Sequence, residues 1–93
     1  MTYEEEIGPL REEIDRLNRE IVRLLARRVD VALRIGEVKM RHGRPVVDKS
    51  REALVYERVR GLADGVGLDR DGVERVFREI IALCTRVQQV ERP

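Results

Sequence analysis

Cysteine, histidine and aromatic residues are scarce in this chain of 93 residues, and each shortage excludes a class of protein. One cysteine, Cys84, cannot build a disulfide framework, and with the one histidine, His42, it cannot form an ordinary zinc site. No apolar run approaches the roughly 20 residues that span a bilayer. Residues 1–6 include three glutamates and no basic residue, unlike a signal peptide. We therefore expect a cytoplasmic protein without a membrane partner.

An excess of positive charge is also missing. The chain has 19 lysines and arginines against 18 acidic residues, for a net charge of +1. Because nucleic-acid-binding surfaces usually carry a surplus of basic residues, we do not expect nucleic acid as a partner. What the chain does have is 40% charged and 42% hydrophobic residues with only 3% aromatics, a mixture that favours helices.

Two clusters of turn-forming residues, 42–45 and 63–69, divide the chain into three segments. The alternation typical of strands is absent from these segments. We therefore predict an all-α fold with a single domain, residues 1–93, because a chain of this length has no room for a second core. The three predicted helices span approximately residues 5–41, 49–63 and 70–90.

Aspartates stand at the N-cap positions of the second and third predicted helices. Asp48 is placed to cap the helix that begins at residue 49, with Ser50 as the alternative, and Asp69 is placed to cap the third helix. Gly72 follows shortly after Asp69, although glycine is unfavourable inside a helix. The sequence therefore predicts two capped helix starts and an unexplained glycine beside one of them.

The first predicted helix carries an apolar stripe with heptad spacing. At 1.5 Å per residue this helix is roughly 55 Å long, whereas a compact chain of this size is about 30–35 Å across. The stripe therefore needs a partner, and we expect a homodimer because most oligomers are symmetric assemblies of one chain. The stripe consists of Ile7, Leu10, Ile14, Leu17, Ile21, Leu24, Val31, Ile35 and Val38, with Arg28 among them.

Polar residues interrupt the apolar faces of the helices at four positions. Arg28 stands in the stripe of the first helix, and Lys39, 11 residues later, returns to within about 20° of the same face. Glu52 begins the apolar face of the second helix, and Gln88 ends that of the third. Because burial of unpaired charge is costly, we predict a shared polar pocket for a small anionic ligand.

A purely structural role is the alternative for each of these residues. Arg28 would then set the register of a coiled coil or extend to water. Glu52 would form a structural ion pair with Arg28 or Lys39. Gln88, near the end of the chain, would be exposed. These alternatives stay open on periodicity alone.

Arg11, Arg51 and Cys84 give weaker signals. Arg11 lies roughly 25 Å from Arg28 along one helix, so only a second, antiparallel chain can bring it to the pocket. Arg51 follows Asp48 by three residues, which fits either an ion pair in the first helical turn or a contact with the ligand. Cys84 has no base at a fixed spacing, so we expect it to pack in the core rather than to act as a nucleophile.

Short runs of sequence spread along the chain resemble those of one enzyme family. The chain is similar over nearly its whole length to the all-helical chorismate mutases, the AroQ class. The runs that carry this resemblance are LREEIDRL at 10–17, LLARR at 24–28, IGEVK at 35–39, RPVVDKSRE at 44–52 and VFREII at 76–81, followed by Gln88.

The resemblance implies an intertwined homodimer of three-helix chains, with two active sites that both chains share. It implies the rearrangement of chorismate to prephenate, the branch step toward phenylalanine and tyrosine in the shikimate pathway, without a cofactor or metal. Members of this family also associate with other enzymes of that pathway, so a partner of this kind is a further expectation.

The resemblance also assigns roles to the polar residues. Arg28, together with Arg11 from the partner chain, matches the arginines that bind the two substrate carboxylates. Lys39 and Gln88 match the pair that hydrogen-bonds the ether oxygen of the substrate. On this basis Lys39, Gln88 and Arg28 are expected to be catalytic.

Four further positions match the pocket of the family. Glu52 matches the acid that accepts a hydrogen bond from the ring hydroxyl and is also expected to be catalytic. Asp48 and Arg51 match residues that complete the pocket, with Arg51 near a carboxylate. Cys84 stands where a small polar residue such as serine is expected, and a thiol is a poorer hydrogen-bonding partner.

Two other functions fit the same pattern of residues. An isochorismate pyruvate-lyase would share the helical dimer and much of the pocket. A non-catalytic, dimeric helical adaptor would use the same polar residues as structural ion pairs. The first alternative differs in its substrate, and the second in binding no substrate at all.

Overall fold

The computed structural model describes residues 1–90, which form three α-helices and contain no strand. The predicted all-helical, three-helix architecture is confirmed. The first helix begins earlier and the second ends later than the sequence pattern indicated. The helices are α1 (Tyr3–Arg41), α2 (Lys49–Gly65) and α3 (Arg70–Val90).

The early start of α1 is explained by a cap that the apolar pattern does not show. The Thr2 side chain accepts a hydrogen bond from the backbone nitrogen of Glu5 at 3.1 Å. Three consecutive glutamates, residues 4–6, fill the first turn, where the helix dipole favours negative charge. The helix therefore starts at Tyr3 and continues through Pro9, which lies inside it.

The other two helix starts use the predicted aspartates. Oδ1 of Asp48 accepts from the backbone nitrogen of Arg51 at 3.0 Å, so Asp48 rather than Ser50 caps α2. Oδ2 of Asp69 accepts from the backbone nitrogen of Gly72 at 3.0 Å at the start of α3. Glycines with positive φ, Gly43 at 64° and Gly67 at 73°, let the chain turn between helices.

A charged network joins α2 to α3 and shows that the two helices run antiparallel. Arg60 bonds Asp71 at 2.7 Å and Glu74 at 3.3 Å, while Arg78 bonds Glu74 and stacks 4.4 Å from the centre of the Tyr56 ring. The Arg60 hydrogen bond holds the pKa of Asp71 below its ordinary value. The contribution of the Asp71 carboxylate to stability is therefore present at a pH above the ordinary carboxyl range and is lost as the pH falls.

The core of the single chain is small. Among residues 1–90, the buried apolar side chains are Ala32, Val59, Ala63 and Cys84. The molecule measures 62 × 27 × 15 Å with a radius of gyration of 17.4 Å, whereas a compact chain of this length has about 12 Å. Only the C-terminal half of α1 has buried residues, Ala32 and Gly36. The N-terminal half extends away from α2 and α3.

The extended half of α1 carries an uncovered row of large apolar side chains. Leu10 is 58% exposed, and Leu24, at the other end of the row, is also 58% exposed. They belong to the predicted heptad stripe, and the single chain leaves about half of their surface uncovered. None of the helices within residues 1–90 has the length and apolarity needed to cross a membrane. We refer to Leu10, Ile14, Leu17, Ile21 and Leu24 as the α1 stripe.

The structure explains the glycine near the start of α3. A Cβ atom at Gly72 would lie 2.9 Å from Oδ2 of Asp69, the oxygen that caps the helix. A side chain at this position would push the cap away. Glycine is therefore retained here despite its poor helix propensity.

We expect Gly72→Ala to stabilise the fold less than Gly61→Ala, by about 1 kcal/mol in the free energy of unfolding. Both changes improve helix propensity, but only the first displaces a cap. Gly61 is the matched control because it lies inside α2, where a Cβ atom would meet nothing within 4 Å. Urea unfolding followed by circular dichroism measures both variants. Equal gains at the two positions would contradict this explanation of Gly72.

Candidate functional site

A cavity of about 330 Å³ lies between α1, the start of α2 and α3. This volume falls in the range of small-molecule sites, and seven of the fifteen lining residues are aliphatic. Valines and isoleucines from all three helices and from the turn before α2 form the apolar walls. The polar and charged side chains that line it are Arg28, Lys39, Asp48, Arg51, Glu52, Cys84, Thr85 and Gln88.

The helical period explains why these residues meet. On α1, Arg28, Ile35 and Lys39 are separated by seven and four residues, so they share one face. On α3, Cys84 and Gln88 are one turn apart and both are buried. The cavity therefore lies where the interrupted faces of the helices converge, as the sequence pattern predicted for a polar pocket.

Arg11 is the one predicted site residue that the single chain keeps away from the cavity. Its guanidinium lies 6.0 Å from the centre of the Tyr3 ring, and Nη2 donates to the Tyr3 hydroxyl at 3.4 Å. Arg11 is exposed on the extended half of α1. This position agrees with the expectation that it cannot reach Arg28 within one chain.

Arg28 has an unusual partner on the cavity wall. Its Nη1 donates to Sγ of Cys84 at 2.9 Å, and Cys84 is only 5% exposed. A thiol is a weak acceptor, whereas a carboxylate accepts charge-assisted, often bidentate, hydrogen bonds from arginine. Cys84 therefore holds the guanidinium in place, and a carboxylate of a ligand would accept a stronger hydrogen bond from it. The buried position of Cys84 agrees with the expected packing role.

Lys39 is oriented by the turn between α1 and α2. Its Nζ donates to the backbone carbonyl of Val46 at 2.7 Å, and its own carbonyl accepts from the backbone nitrogen of Arg44 at 2.8 Å. An ammonium group has three donors, so two hydrogens of Lys39 stay available to a ligand. The turn thus fixes where the cation stands in the cavity.

Gln88 is buried in the cavity wall with an unsatisfied polar atom. It is 8% exposed, and its Oε1 has no hydrogen-bond partner within the part of the chain that the structure describes. A buried acceptor without a partner costs about 1–3 kcal/mol, a cost that a donor on a bound ligand or a water would remove. The alternative in which Gln88 is exposed near the chain end is wrong.

The acidic residues of the cavity do not form the ion pairs that the sequence suggested as purely structural roles. Oε2 of Glu52 lies 3.5 Å from Nζ of Lys49, so its ion pair is with this residue rather than with Arg28 or Lys39. Asp48 binds the backbone nitrogen of Arg51 and leaves the Arg51 guanidinium for other contacts. The cavity therefore combines three cationic side chains with two carboxylates.

Three contributors to the site were not found from the sequence. The Val46 carbonyl has no sequence signal, because every residue carries one. Lys49 follows Asp48 directly, and its pairing with Glu52 at a separation of three residues is a pattern that helical spacing could have shown. Gly36, buried inside α1 against Gln88, could have been found as a helix-interior glycine three residues before Lys39.

Residues 1–90 contain no group of three or more histidine, cysteine, aspartate or glutamate side chains that could hold a metal ion. The chemistry available in the cavity is that of three positioned cations, one buried amide and two carboxylates between aliphatic walls.

Comparison with known proteins assigns the chain to a family. The family model of chorismate mutase type II matches residues 10–89, which include all eight predicted site residues, so the chain belongs to this family. A protein of Streptomyces venezuelae named 4-amino-4-deoxychorismate mutase is 33% identical over 90 residues, which cover 97% of this chain and 87% of that relative. The family resemblance seen in the sequence is thereby confirmed, and it supports an isomerase-type enzyme.

The packing of Cys84 is directly testable because the chain has a single thiol. We expect Ellman's reagent to label Cys84 in the native protein at least about a hundredfold more slowly than in the urea-unfolded chain, since the thiol is shielded by packing and by Arg28. Arg28→Ala should accelerate native labelling, and Cys84→Ser provides the blank. Native labelling at the unfolded rate would show that the thiol is not packed as described.

Proposed function

We propose that this chain catalyses the rearrangement of chorismate to prephenate in the cavity between α1, α2 and α3. The observation that carries the proposal is the convergence of Arg28, Lys39 and the buried Gln88 amide in one small cavity with apolar walls. Membership of the chorismate mutase type II family supports it. The reaction would supply the branch of the shikimate pathway that leads to phenylalanine and tyrosine.

The residue types suit the demands of this reaction. The rearrangement is unimolecular: one C–O bond breaks while one C–C bond forms, without transfer of a proton or attack by a nucleophile. The enzyme must hold the enolpyruvyl side chain of chorismate over the ring in a reactive conformation. The two carboxylates of chorismate are suitable handles, and the guanidinium groups of Arg28 and Arg51 are suited to bind them bidentately.

Charge stabilisation is the second demand. The ether oxygen gains negative charge as its bond to the ring breaks. Lys39, oriented by the Val46 carbonyl, and the buried Gln88 amide would stabilise that charge. Because these contacts strengthen in the transition state, their loss should lower kcat more than it raises KM. Glu52 would accept a hydrogen bond from the ring hydroxyl.

The proposed role of Gln88 predicts a new pH dependence when it is replaced by glutamate. We expect Gln88→Glu to be active only at acidic pH, because the protonated carboxyl donates to the ether oxygen, whereas the ionised carboxylate repels its developing charge. The measurement is kcat between pH 4 and 9. Gln88→Ala is the control, with low kcat at every pH. A flat profile for Gln88→Glu would remove Gln88 from the ether contact.

We also propose that two copies of the chain form the active enzyme. The α1 stripe is about half exposed along its whole length, and the buried core within residues 1–90 is small. A second copy that lies antiparallel along α1 would cover the stripe and bring its Arg11 toward Arg28. Arg11 of the second copy and Arg28, with Arg51 beside them, would then bind the substrate carboxylates, in a site that each chain completes for the other.

Mixing two inactive variants tests the shared site. Arg11→Ala and Arg28→Ala should each lose most of their activity, because every site in either homodimer lacks one arginine. In a hybrid dimer one of the two sites has both arginines intact. A 1:1 mixture after subunit exchange should therefore recover about a quarter of the wild-type activity per chain, given random pairing of a two-fold dimer. No recovery, with hybrid formation verified by mass spectrometry, would contradict a shared site.

The relative from Streptomyces venezuelae provides the second candidate substrate, 4-amino-4-deoxychorismate, in which an amine replaces the ring hydroxyl. Glu52 can bind either group. The Lys49 ammonium lies 3.5 Å from the Glu52 carboxylate, and its charge disfavours an added ammonium there. We therefore expect chorismate to be the better substrate.

Substrate assays decide between the candidates. The wild-type protein is incubated separately with chorismate, 4-amino-4-deoxychorismate and isochorismate, and the products are identified by mass spectrometry. The proposal predicts prephenate from chorismate with the highest kcat/KM, and Lys39→Ala as the inactive control. Release of pyruvate from isochorismate would indicate a lyase. No turnover of any of the three would favour a non-catalytic helical adaptor.

A further inference from the structure

The position of the Gln88 amide is not explained by hydrogen bonding. Its Oε1 has no partner within residues 1–90, yet the side chain is 8% exposed. A glutamine side chain has three rotatable bonds, and an unsatisfied buried atom favours any rotation that reaches water. Packing must therefore hold this side chain in place.

Gly36 provides the surface against which Gln88 packs. A Cβ atom built on Gly36 would lie 3.0 Å from Cγ, 3.4 Å from Oε1 and 3.5 Å from Cβ of Gln88. The glutamine side chain thus lies directly across the bare backbone of α1. Even the smallest side chain at residue 36 would displace it by some tenths of an ångström.

Backbone conformation gives no other reason for a glycine at this position. Among residues 1–90 the glycines with positive φ are Gly43 and Gly67, so Gly36 has a φ that any residue can adopt. A glycine in the middle of a long helix is unfavourable compared with alanine. The glycine at residue 36 is therefore explained by the space that it leaves for the Gln88 side chain.

We propose that Gly36 is a positioning residue for the reaction: the missing side chain sets the depth of the Gln88 amide in the cavity. Lys39 lies three residues further along α1, on the same side of the helix and in the lining of the same cavity. The same short stretch of α1 therefore carries the Lys39 ammonium group and, because Gly36 has no side chain, leaves room for the Gln88 amide of α3. This inference rests on the proposed function, since it concerns the two groups assigned to the ether oxygen.

Gly36→Ala is expected to lower kcat about tenfold with KM within about twofold of wild type, because a displacement of a fraction of an ångström weakens a contact made mainly in the transition state. Gly61→Ala is the matched control, with kcat and KM unchanged, because its added Cβ atom meets nothing within 4 Å. Wild-type kcat in Gly36→Ala would overturn the inference.

A double-mutant cycle with Gln88→Ala separates positioning from damage to the fold. With alanine at residue 88, the Cγ and Oε1 atoms that Gly36→Ala displaces are gone, so Gly36→Ala should cause no further loss of kcat. The urea midpoint should fall on Gly36→Ala when residue 88 is glutamine and rise when it is alanine, because helix propensity then acts alone. Equal, additive effects in both backgrounds would overturn the inference.

The stability half of the cycle needs no substrate, so it distinguishes two kinds of failure. A wild-type protein without mutase activity would overturn the proposed function and, with it, the catalytic part of this inference. An active wild-type protein with an additive cycle would overturn the role of Gly36 alone. If the shift in urea midpoint caused by Gly36→Ala changes sign between the two backgrounds, and kcat falls tenfold with glutamine at residue 88, both the proposed function and the role of Gly36 are supported.

Discussion

The need to cover the α1 stripe is the constraint on which the rest of the structure depends. A helix of 39 residues is about 58 Å long, and its buried residues, Ala32 and Gly36, both lie in its C-terminal half, where α3 packs against it. Five large aliphatic residues consequently stay about half exposed along the other half. Exposed apolar surface of this extent usually marks an interaction site. A second copy would resolve this constraint and, by the same contact, complete the cavity with Arg11.

The C-terminal half of α1 has a different task, which depends on small residues. Ala32 and Gly36 are its buried positions, and they let α3 approach closely. In the same half of α1, Arg28, Ile35 and Lys39 face the cavity. The proposed chemistry needs no proton transfer, so its decisive feature is how these groups are positioned. Arg28 bonds the Cys84 thiol, Lys39 bonds the Val46 carbonyl, and the Gln88 side chain lies against Gly36.

Periodicity and turn residues were sufficient to predict the three helices and the Asp48 cap, because both follow from local rules of spacing and hydrogen bonding. Periodicity also predicted that Arg28 and Lys39 lie on one face of α1. It could not show the Val46 carbonyl that orients Lys39, since backbone groups are the same at every residue. The roles assigned to Glu52 and to Arg11 of a partner chain came from the family resemblance, because contacts between distant or separate elements have no signature in spacing alone.

Unfolding at several protein concentrations tests the central claim, that the fold and the site are completed by a second copy. The urea midpoint, followed by circular dichroism and by activity, is measured over a hundredfold range of concentration, with the native mass from sedimentation equilibrium. The predicted result is a midpoint that rises with concentration and an active species of twice the chain's 10.8 kDa. An active 10.8 kDa species with a concentration-independent midpoint would contradict the claim.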